Sequence, residues 1–408
     1  MERRGGARPG DERAQRDRLP RRRRDAGDVR RRRHRPDPGG RPMRQRWSEA
    51  EAWRWYGERP WITGCNFIPS GSTHGSLWLL QEHGHAEAFR DAAREIALAS
   101  WLGLNSIRFY LPFEVWQHQR DAFFAHLDEL VALLDRYGMT MMPVLFNDCT
   151  VPRDRWAPAR LGVQPEPVPG YFGGAPGGAF DEDVQGGDVV GYLPFDEPGS
   201  SALMREFVDS LAARYGEDER VLMWNVWNEI GNSHRGDRSL AMMREVFSWL
   251  READVAQPLT AEVWGGGAPS PLAWVHHPTT LPEVEHRAME LSDIVTFHYY
   301  GDYWHAKQLI GYLRGFGRPL VNTEWMHRPY GSLIETHLPL WKREDIGSYF
   351  FGLVNGKPQL HHVWEFIKDL PNVDTSPWMH DVVHADFTPY DPDEIAVLRA
   401  CNREEPLR

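Results

Sequence analysis

Apolar positions along the chain follow two alternating patterns. Short runs rich in β-branched and aromatic residues are followed by longer stretches in which apolar residues recur every three or four positions. The first pattern is typical of buried strands, and the second is typical of amphipathic helices. Strands that alternate with helices predict a parallel sheet with right-handed crossovers.

The runs that predict strands are spread over most of the chain. They are residues 60–69, 106–111, 141–146, 222–229, 258–264, 293–300, 319–325 and 346–352. Helical periodicity predicts helices at residues 48–56, 87–102, 121–137, 202–215, 238–253, 303–315 and 391–400. Eight strands in one continuous series predict an α/β fold, a single (β/α)8 TIM barrel over residues 43–408.

A long connection follows the third predicted strand. Residues 150–200 are rich in Gly and Pro and show no periodicity. A loop of this length in a compact domain is usually functional or disordered. Because it leaves the carboxyl end of a strand, we expect it to wall one side of the functional site.

Two of the strands end in a carboxylate. Strand four closes on Asn228 and Glu229, and strand seven closes on Glu324. The carboxyl ends of barrel strands meet at one face, where catalytic residues lie. Glycosidic bonds are cleaved by two such carboxyl groups, about 5–5.5 Å apart in retaining enzymes. The pair therefore predicts a glycosidase site.

Further polar residues lie within or just after the strands. Burying the charge of Arg108 inside strand two costs free energy unless an acidic group pairs with it. We expect this partner to be a catalytic carboxylate. For Glu262, in strand five, we expect an ion pair. His298 alone is more often a core residue than a functional one. Asp148 follows strand three, where helix capping and sugar binding are equally compatible with the sequence.

Together these residues resemble clan A of the glycoside hydrolases, the cellulase-type superfamily. The shared features are the Asn-Glu pair of strand four, Glu324 of strand seven, Arg108 of strand two and the His-x-Tyr of strand six, His298 and Tyr300. Residues 64–70 and 381–392 are most similar to a bacterial group often labelled 1,4-β-xylanase. The resemblance extends from about Trp47 to Leu398.

The resemblance implies a role for each matching residue. Glu324 would be the nucleophile, and Glu229 would be the acid/base. Asn228 would bond the sugar's 2-hydroxyl, and His298 would bind a hydroxyl or orient a carboxylate. Arg108 and Tyr300 would hold Glu324 ionised, whereas Glu229 needs a less polar setting to keep its proton.

The chain departs from the clan's pattern at two positions. Ile230 stands where many relatives have proline, a change that leaves the chemistry intact. Phe351 stands where many have a tryptophan under the reacting sugar, so stacking would be weaker. The tryptophans that are candidates to compensate are Trp264, Trp304 and Trp325.

Charge is distributed unevenly along the chain. Residues 1–42 carry 16 Arg and 7 acidic residues, whereas the whole chain has a net charge of −11. The leader should be disordered, and we interpret it as a non-native extension with Met43 as the true initiator. An RNA-binding tail is the alternative. The acidic remainder favours no nucleic-acid partner.

Other classes of site find little support in the sequence. The three cysteines lack metal-ligand spacing and predict reduced thiols in a cytoplasmic protein. His361 and His362 are adjacent on a loop. Adjacent histidines rarely bind the same metal ion, so we expect no metal and no other cofactor. No apolar run predicts a membrane span. The oligomeric state stays open.

The resulting hypothesis is a retaining, exo-acting glycoside hydrolase whose partner is a β-linked oligosaccharide or small glycoside. An endo-acting xylanase or glucanase is the first alternative. It predicts an open groove, whereas exo action predicts a pocket closed by residues 150–200. A carbohydrate-binding barrel without catalysis is the second alternative. The 18 tryptophans of the chain are compatible with a glycoside hydrolase and with a binding barrel, since tryptophan stacks on sugars in both.

Overall fold

The sheet consists of parallel strands in sequential order, seen in a computed structural model that describes residues 43–73, 75–179, 189–265 and 281–403. The strands are β1 Thr63–Asn66, β2 Ser106–Tyr110, β3 Thr140–Val144, β4 Trp224–Trp227, β5 Leu259–Ala261, β6 Val295–His298, β7 Leu320–Trp325 and β8 Gly347–Phe351. The predicted leader, residues 1–42, and part of the predicted long loop, residues 180–188, lie outside the described residues.

Helices follow most of the strands. They are α1 Glu49–Gly57, α2 Leu77–Leu80, α3 His85–Trp101, α4 Phe113–His118, α5 Arg120–Arg136, α6 Ser200–Tyr215, α7 Leu240–Glu252, α8 Glu283–Leu291, α9 Tyr303–Arg314, α10 Ile334–Arg343 and α11 Pro392–Arg403. None of these described helices has the length and apolar character needed to cross a membrane.

The strands curl into a ring that closes between β5 and β6. The sheet runs in the order β5-β4-β3-β2-β1-β8-β7-β6. Val263, just beyond β5, makes a parallel bridge to Phe297 of β6. Its N–H donates to Thr296 O over 3.1 Å, and its carbonyl accepts from His298 N over 2.9 Å. The predicted (β/α)8 barrel is therefore confirmed.

One end of the barrel is covered by the N-terminal helix. Ser48 caps α1 through a capping box with Glu51. The buried face of α1 presents Trp55 and Tyr56 to a cluster of buried barrel residues, among them Val321. This plug leaves the opposite end, where the strands reach their carboxyl termini, as the end open to a ligand.

Element boundaries differ from prediction in specific ways. The strand of residues 222–229 is reduced to Trp224–Trp227, and Asn228 keeps only an isolated bridge to Asn147. Helices α2, α4, α8 and α10 were not predicted. Pro339 lies inside α10 and disrupts the local helical signal, whereas burial of Ile334, Leu338 and Trp341 holds the helix in place.

Gly64 gives a test of barrel packing. A Cβ at this position would lie 2.4 Å from Ser106 O and 2.6 Å from a ring carbon of Tyr349. We therefore expect Gly64→Ala to lower the free energy of unfolding by about 1–3 kcal/mol, measured by urea denaturation. Gly57→Ala is the matched control, since a Cβ there meets nothing within 4 Å. Equal effects of the two substitutions would contradict the packing argument.

Candidate active site

The carboxyl ends of four strands bring the predicted polar residues together. Arg108 lies in β2, His298 ends β6, and Glu324 lies in β7. Asn228 and Glu229 follow β4 directly. Oxygens of the two glutamates and a ring nitrogen of His298 lie within 4.8 Å of one another. The predicted convergence of Glu229 and Glu324 is therefore present in the fold.

Glu324 is held at both oxygens. Oε1 accepts from Arg108 Nη1 over 2.6 Å and from Tyr110 OH over 2.8 Å, and Oε2 accepts from Tyr300 OH over 2.7 Å. Burial alone would raise the pKa of Glu324. The charges of His298 and Arg108 and the two phenol hydrogen bonds outweigh burial and lower that pKa below 4.5. Glu324 is an oriented carboxylate anion.

Arg108 is fully buried and saturated with acceptors. Besides Glu324, its guanidinium donates to Glu262 Oε1 over 3.0 Å, which confirms the ion pair expected for that residue. The other acceptors are Asn66 Oδ1, Tyr110 OH, Asn225 Oδ1 and Asn228 Oδ1. The expected pairing of Arg108 with a site carboxylate is confirmed by the contact with Glu324.

Glu229 lies in a different environment. Oε1 lies 2.7 Å from His298 Nδ1, and Oε2 accepts from Cys149 Sγ over 2.9 Å and from Asn232 Nδ2 over 2.6 Å. The backbone at Glu229 has a φ of +44°. Few non-glycine residues adopt this conformation, and it is found where a surrounding structure imposes it. Here it ends the strand and turns the side chain towards β6.

His298 lies between the two glutamates. Nδ1 is 2.7 Å from Glu229 Oε1 and 3.5 Å from Glu324 Oε2. Burial would lower the pKa of His298, but the charges of Glu324 and Glu229 and the hydrogen bond to Glu229 outweigh it and raise the pKa above 6.5. The imidazole therefore adds positive charge between two carboxylates.

The same three side chains form the group that, among the described residues, offers donor atoms close enough to share a metal ion. An ion bound there would have to displace the proton held between His298 and the glutamates. It would also compete with Arg108, which already neutralises Glu324. That the site works without a metal stays a prediction.

A cavity of about 1550 Å³ opens above these residues. Its wall includes Glu229 and Glu324 at the base and Trp156, Phe172 and Phe195 from the long loop after β3. The prediction that this loop would wall one side of the site is confirmed for its described residues. A cavity of this size exceeds that of a typical small-molecule pocket, about 300–1,000 Å³.

Tethers on the β1 and β8 sides help to hold the described part of the long loop. Near β1, Gln164 Oε1 accepts from Thr73 N over 2.9 Å. Beyond β8, Gln359 Nε2 donates to Val168 O over 2.7 Å, and Gly173 N donates to Pro358 O over 2.9 Å. The loop thus crosses from β3 past β2 and β1 to the β8 side of the barrel mouth.

Of the remaining predicted substrate-binding residues, some line the cavity and some do not. Asn228, Tyr300, Trp264 and Phe351 lie in its wall. Trp304, a candidate to compensate for Phe351, is 70% exposed and lies outside the wall.

Asp148 and Trp325 also lie outside the cavity wall, which corrects the expectation that they bind substrate. Asp148 is fully buried, and its burial is compensated by four donors at 2.7–3.2 Å, which are Trp227 Nε1, Gly231 N, Ser239 Oγ and Arg235 Nε. Trp325 is fully buried because its ring packs into the core beside His337 and Trp341.

Several residues of the site were not predicted. Tyr110 lies two positions after Arg108 on β2, and the period of two that places both side chains on one face was the available signal. For Cys149 the sequence predicts a reduced thiol and no site role, but it lines the cavity and contacts Glu229. Trp364, from the loop after β8, lies 5.3 Å from the Tyr300 ring. No local sequence pattern predicts that Trp364 belongs to the site.

Comparisons by sequence give no relative. No protein-family model matches the chain, and no curated sequence matches it.

Comparison with solved structures finds similar folds. The exo-β-1,4-mannosidase from Opitutaceae bacterium strain TAV5 aligns with a TM-score of 0.51 and 14% identity, over 85% of this chain and 60% of that chain. This chain therefore spans 60% of that mannosidase. A family 5 mannosidase from Rhizomucor miehei has a TM-score of 0.46 and 14% identity, over 83% of this chain and 92% of that chain. The endo-β-1,4-mannanase from Thermotoga petrophila has a TM-score of 0.49 and 15% identity, over 87% of this chain and 79% of that chain. The similarity to the Opitutaceae protein shows the shared fold.

The two pKa shifts predict a window of pH in which Glu324 stabilises the fold. The lowered pKa of Glu324 gives stability that is present above pH 4.5 and is lost as the pH falls through the folded value. The raised pKa of His298 gives stability that is present below pH 6.5 and is lost as the pH rises through its folded value. Glu324→Gln removes the first contribution and the part of the second that comes from the charge of Glu324.

We therefore expect the difference in unfolding free energy between wild type and Glu324→Gln to be largest between pH 4.5 and 6.5, the ordinary values of the two groups. Urea denaturation from about pH 3.5 to 8 measures it, and the exposed Glu206→Gln, on α6, is the control. A difference that grows steadily as the pH falls would contradict the assignment.

Proposed function

We propose that this protein is a retaining glycoside hydrolase that acts on a β-linked oligosaccharide or small glycoside. The observation that carries the proposal is the pair Glu229 and Glu324, whose oxygens lie within 4.8 Å across the base of a cavity. Retaining glycosidases place two carboxyl groups about 5–5.5 Å apart, whereas inverting enzymes need room for a water molecule between them. The pair favours the retaining geometry.

Glu324 is suited to be the nucleophile. Its lowered pKa keeps it ionised at neutral pH, and three donors orient it without blocking the cavity. In the first step one of its oxygens forms a bond to the anomeric carbon as the bond to the leaving oxygen breaks. The product of this step is a glycosyl-enzyme ester.

Glu229 is suited to be the acid/base. Its hydrogen-bond donors Cys149 and Asn232 are neutral side chains, unlike the guanidinium that contacts Glu324, and this supports a role in which the carboxyl carries a proton. It would give that proton to the leaving oxygen in the first step. In the second step it would take a proton from water, whose oxygen attacks the anomeric carbon and releases Glu324.

Asn228 has one hydrogen available for the substrate. Its Oδ1 accepts from Arg108, and one amide hydrogen goes to Asn147 Oδ1 over 2.8 Å. Among the described residues, the other hydrogen faces Cys149 Sγ, at 3.7 Å. A 2-hydroxyl is a stronger acceptor than this sulfur, which supports the role of Asn228 in binding the reacting sugar.

The long loop supports exo action. Its tethers at Thr73 and Gln359 enclose the cavity on the β8-β1-β2-β3 side. Glu229 lies on the β4 side, and a proton donor must face the leaving group. The terminal sugar would therefore occupy the enclosed side, and the leaving group would extend past Trp264 and β5.

Azide rescue tests the two glutamate roles. We expect Glu229→Ala and Glu324→Ala each to lower kcat/KM on a panel of aryl β-glycosides by at least about 10³-fold. Azide should restore turnover of both, giving a β-glycosyl azide with Glu229→Ala and an α-glycosyl azide with Glu324→Ala, as read by NMR. The best aryl sugar names the substrate class.

Glu206→Ala controls for the loss of a carboxylate, since Glu206 lies on the exposed face of α6 and pairs with Arg120. The carbohydrate-binding alternative replaces the proposal if the wild type hydrolyses no glycoside and binds oligosaccharides equally well with either glutamate removed.

Product analysis tests exo against endo action. The substrate is a β-linked oligosaccharide labelled at its reducing end. We expect the labelled oligosaccharide to become shorter by one terminal sugar unit at a time. Gln359→Ala removes a tether of the loop at a residue outside the chemistry, and we expect internal cleavage to rise with it. Gln45→Ala, at an exposed residue remote in sequence from the loop, is the control. Random internal products from the wild type would contradict exo action.

A further inference from the structure

A thiol lies beside the candidate acid/base. Cys149 Sγ donates to Glu229 Oε2 over 2.9 Å, and Asn232 Nδ2 donates to the same oxygen over 2.6 Å. On its other side, Sγ lies 3.7 Å from Asn228 Nδ2. Cys149 therefore contacts both polar residues that follow β4, and its side chain forms part of the cavity wall.

The local backbone holds this thiol in place. Asn147 Oδ1 accepts from Cys149 N over 2.9 Å and from Asn228 Nδ2 over 2.8 Å. A backbone bridge between Asn147 and Asn228 joins the ends of β3 and β4 at the same level. The position of Sγ relative to Glu229 is thus set by the strands themselves, as preorganised sites require.

The thiol is protonated in this setting. Burial, and then the neighbouring charge of Glu229, raise the pKa of Cys149 well above 9.0. A thiolate would place a second negative charge next to the carboxylate. The neutral S–H is instead a hydrogen-bond donor, although a weak one.

Both donors from Cys149 and Asn232 point at Oε2. Oε1, by contrast, lies 2.7 Å from His298 Nδ1. Donation to a carboxylate favours its ionised form. Building on the function proposed above, we propose that Cys149 is a positioning residue that holds Oε2 of Glu229 and promotes ionisation of that carboxylate.

Direct titration of Glu229 tests this assignment. Protein labelled with ¹³C at the glutamate side-chain carboxyl is titrated by NMR, and the Glu229 signal is identified by its loss in Glu229→Gln. We expect Cys149→Ala to move the Glu229 midpoint to higher pH by about 0.5–1 unit, because a donor to the anion is lost. Cys149→Ser should bring it to or below the wild-type value, because a hydroxyl is the stronger donor.

Cys401→Ala is the matched control, because Cys401 lies on α11, outside the cavity wall, and should leave the midpoint unchanged. The assignment is overturned if Cys149→Ala leaves the midpoint within about 0.2 unit of wild type, or if serine and alanine move it in the same direction. The serine variant, which keeps size and polarity, decides the matter should the alanine variant fold poorly.

The pH dependence of hydrolysis gives a second readout. The general acid must be protonated, so kcat/KM falls with rising pH on its alkaline limb. We expect that limb to move to higher pH in Cys149→Ala and to return in Cys149→Ser. Activity that survives Glu229→Ala would refute the proposed function, whereas the NMR titration tests the thiol contact independently.

Discussion

The buried guanidinium of Arg108 is the interaction on which the site depends. A charge in a barrel interior is tolerated only with full compensation, and six neighbouring side chains supply acceptors to it. Two of them, Glu262 and Glu324, are carboxylates. Because the planar fork of arginine fixes donor directions, each acceptor is held in a set orientation. Removing the guanidinium would leave the two carboxylates buried without a counter-charge. The same guanidinium therefore sets the geometry of the site and stabilises the barrel.

This centre makes the two glutamates chemically different. Glu324 lies within β7 and receives a guanidinium and two phenols, which explains its lowered pKa. Glu229 lies past the end of β4, where the register shift and a φ of +44° carry its side chain away from Arg108. Its partners are a thiol, an amide and an imidazole. Two identical side chains thus acquire different environments because the backbone places them beside different partners.

The sequence predicts the fold and the site best where a local pattern is present or where burying a charge would cost free energy. Eight apolar runs predict the barrel, and the cost of burying Arg108 predicts its carboxylate partners. The parts that were missed depend on long-range packing. The burial of Asp148 follows from Arg235 and Ser239, some 90 residues away, and that of Trp325 follows from α10, which was not predicted. Asp148 therefore has a structural rather than a substrate-facing environment.

The buried Asp148 links the cavity wall to the chemistry. It accepts from Gly231 N over 2.7 Å and so fixes the turn that follows Glu229. Arg235 donates to Asp148 over 3.2 Å and also to Asp196 and Gly191 O in the long loop. A displacement of that part of the loop would move a charge inside a buried network, which is costly unless the turn moves with it. Enclosure of the cavity and placement of Glu229 are therefore maintained by the same buried charges.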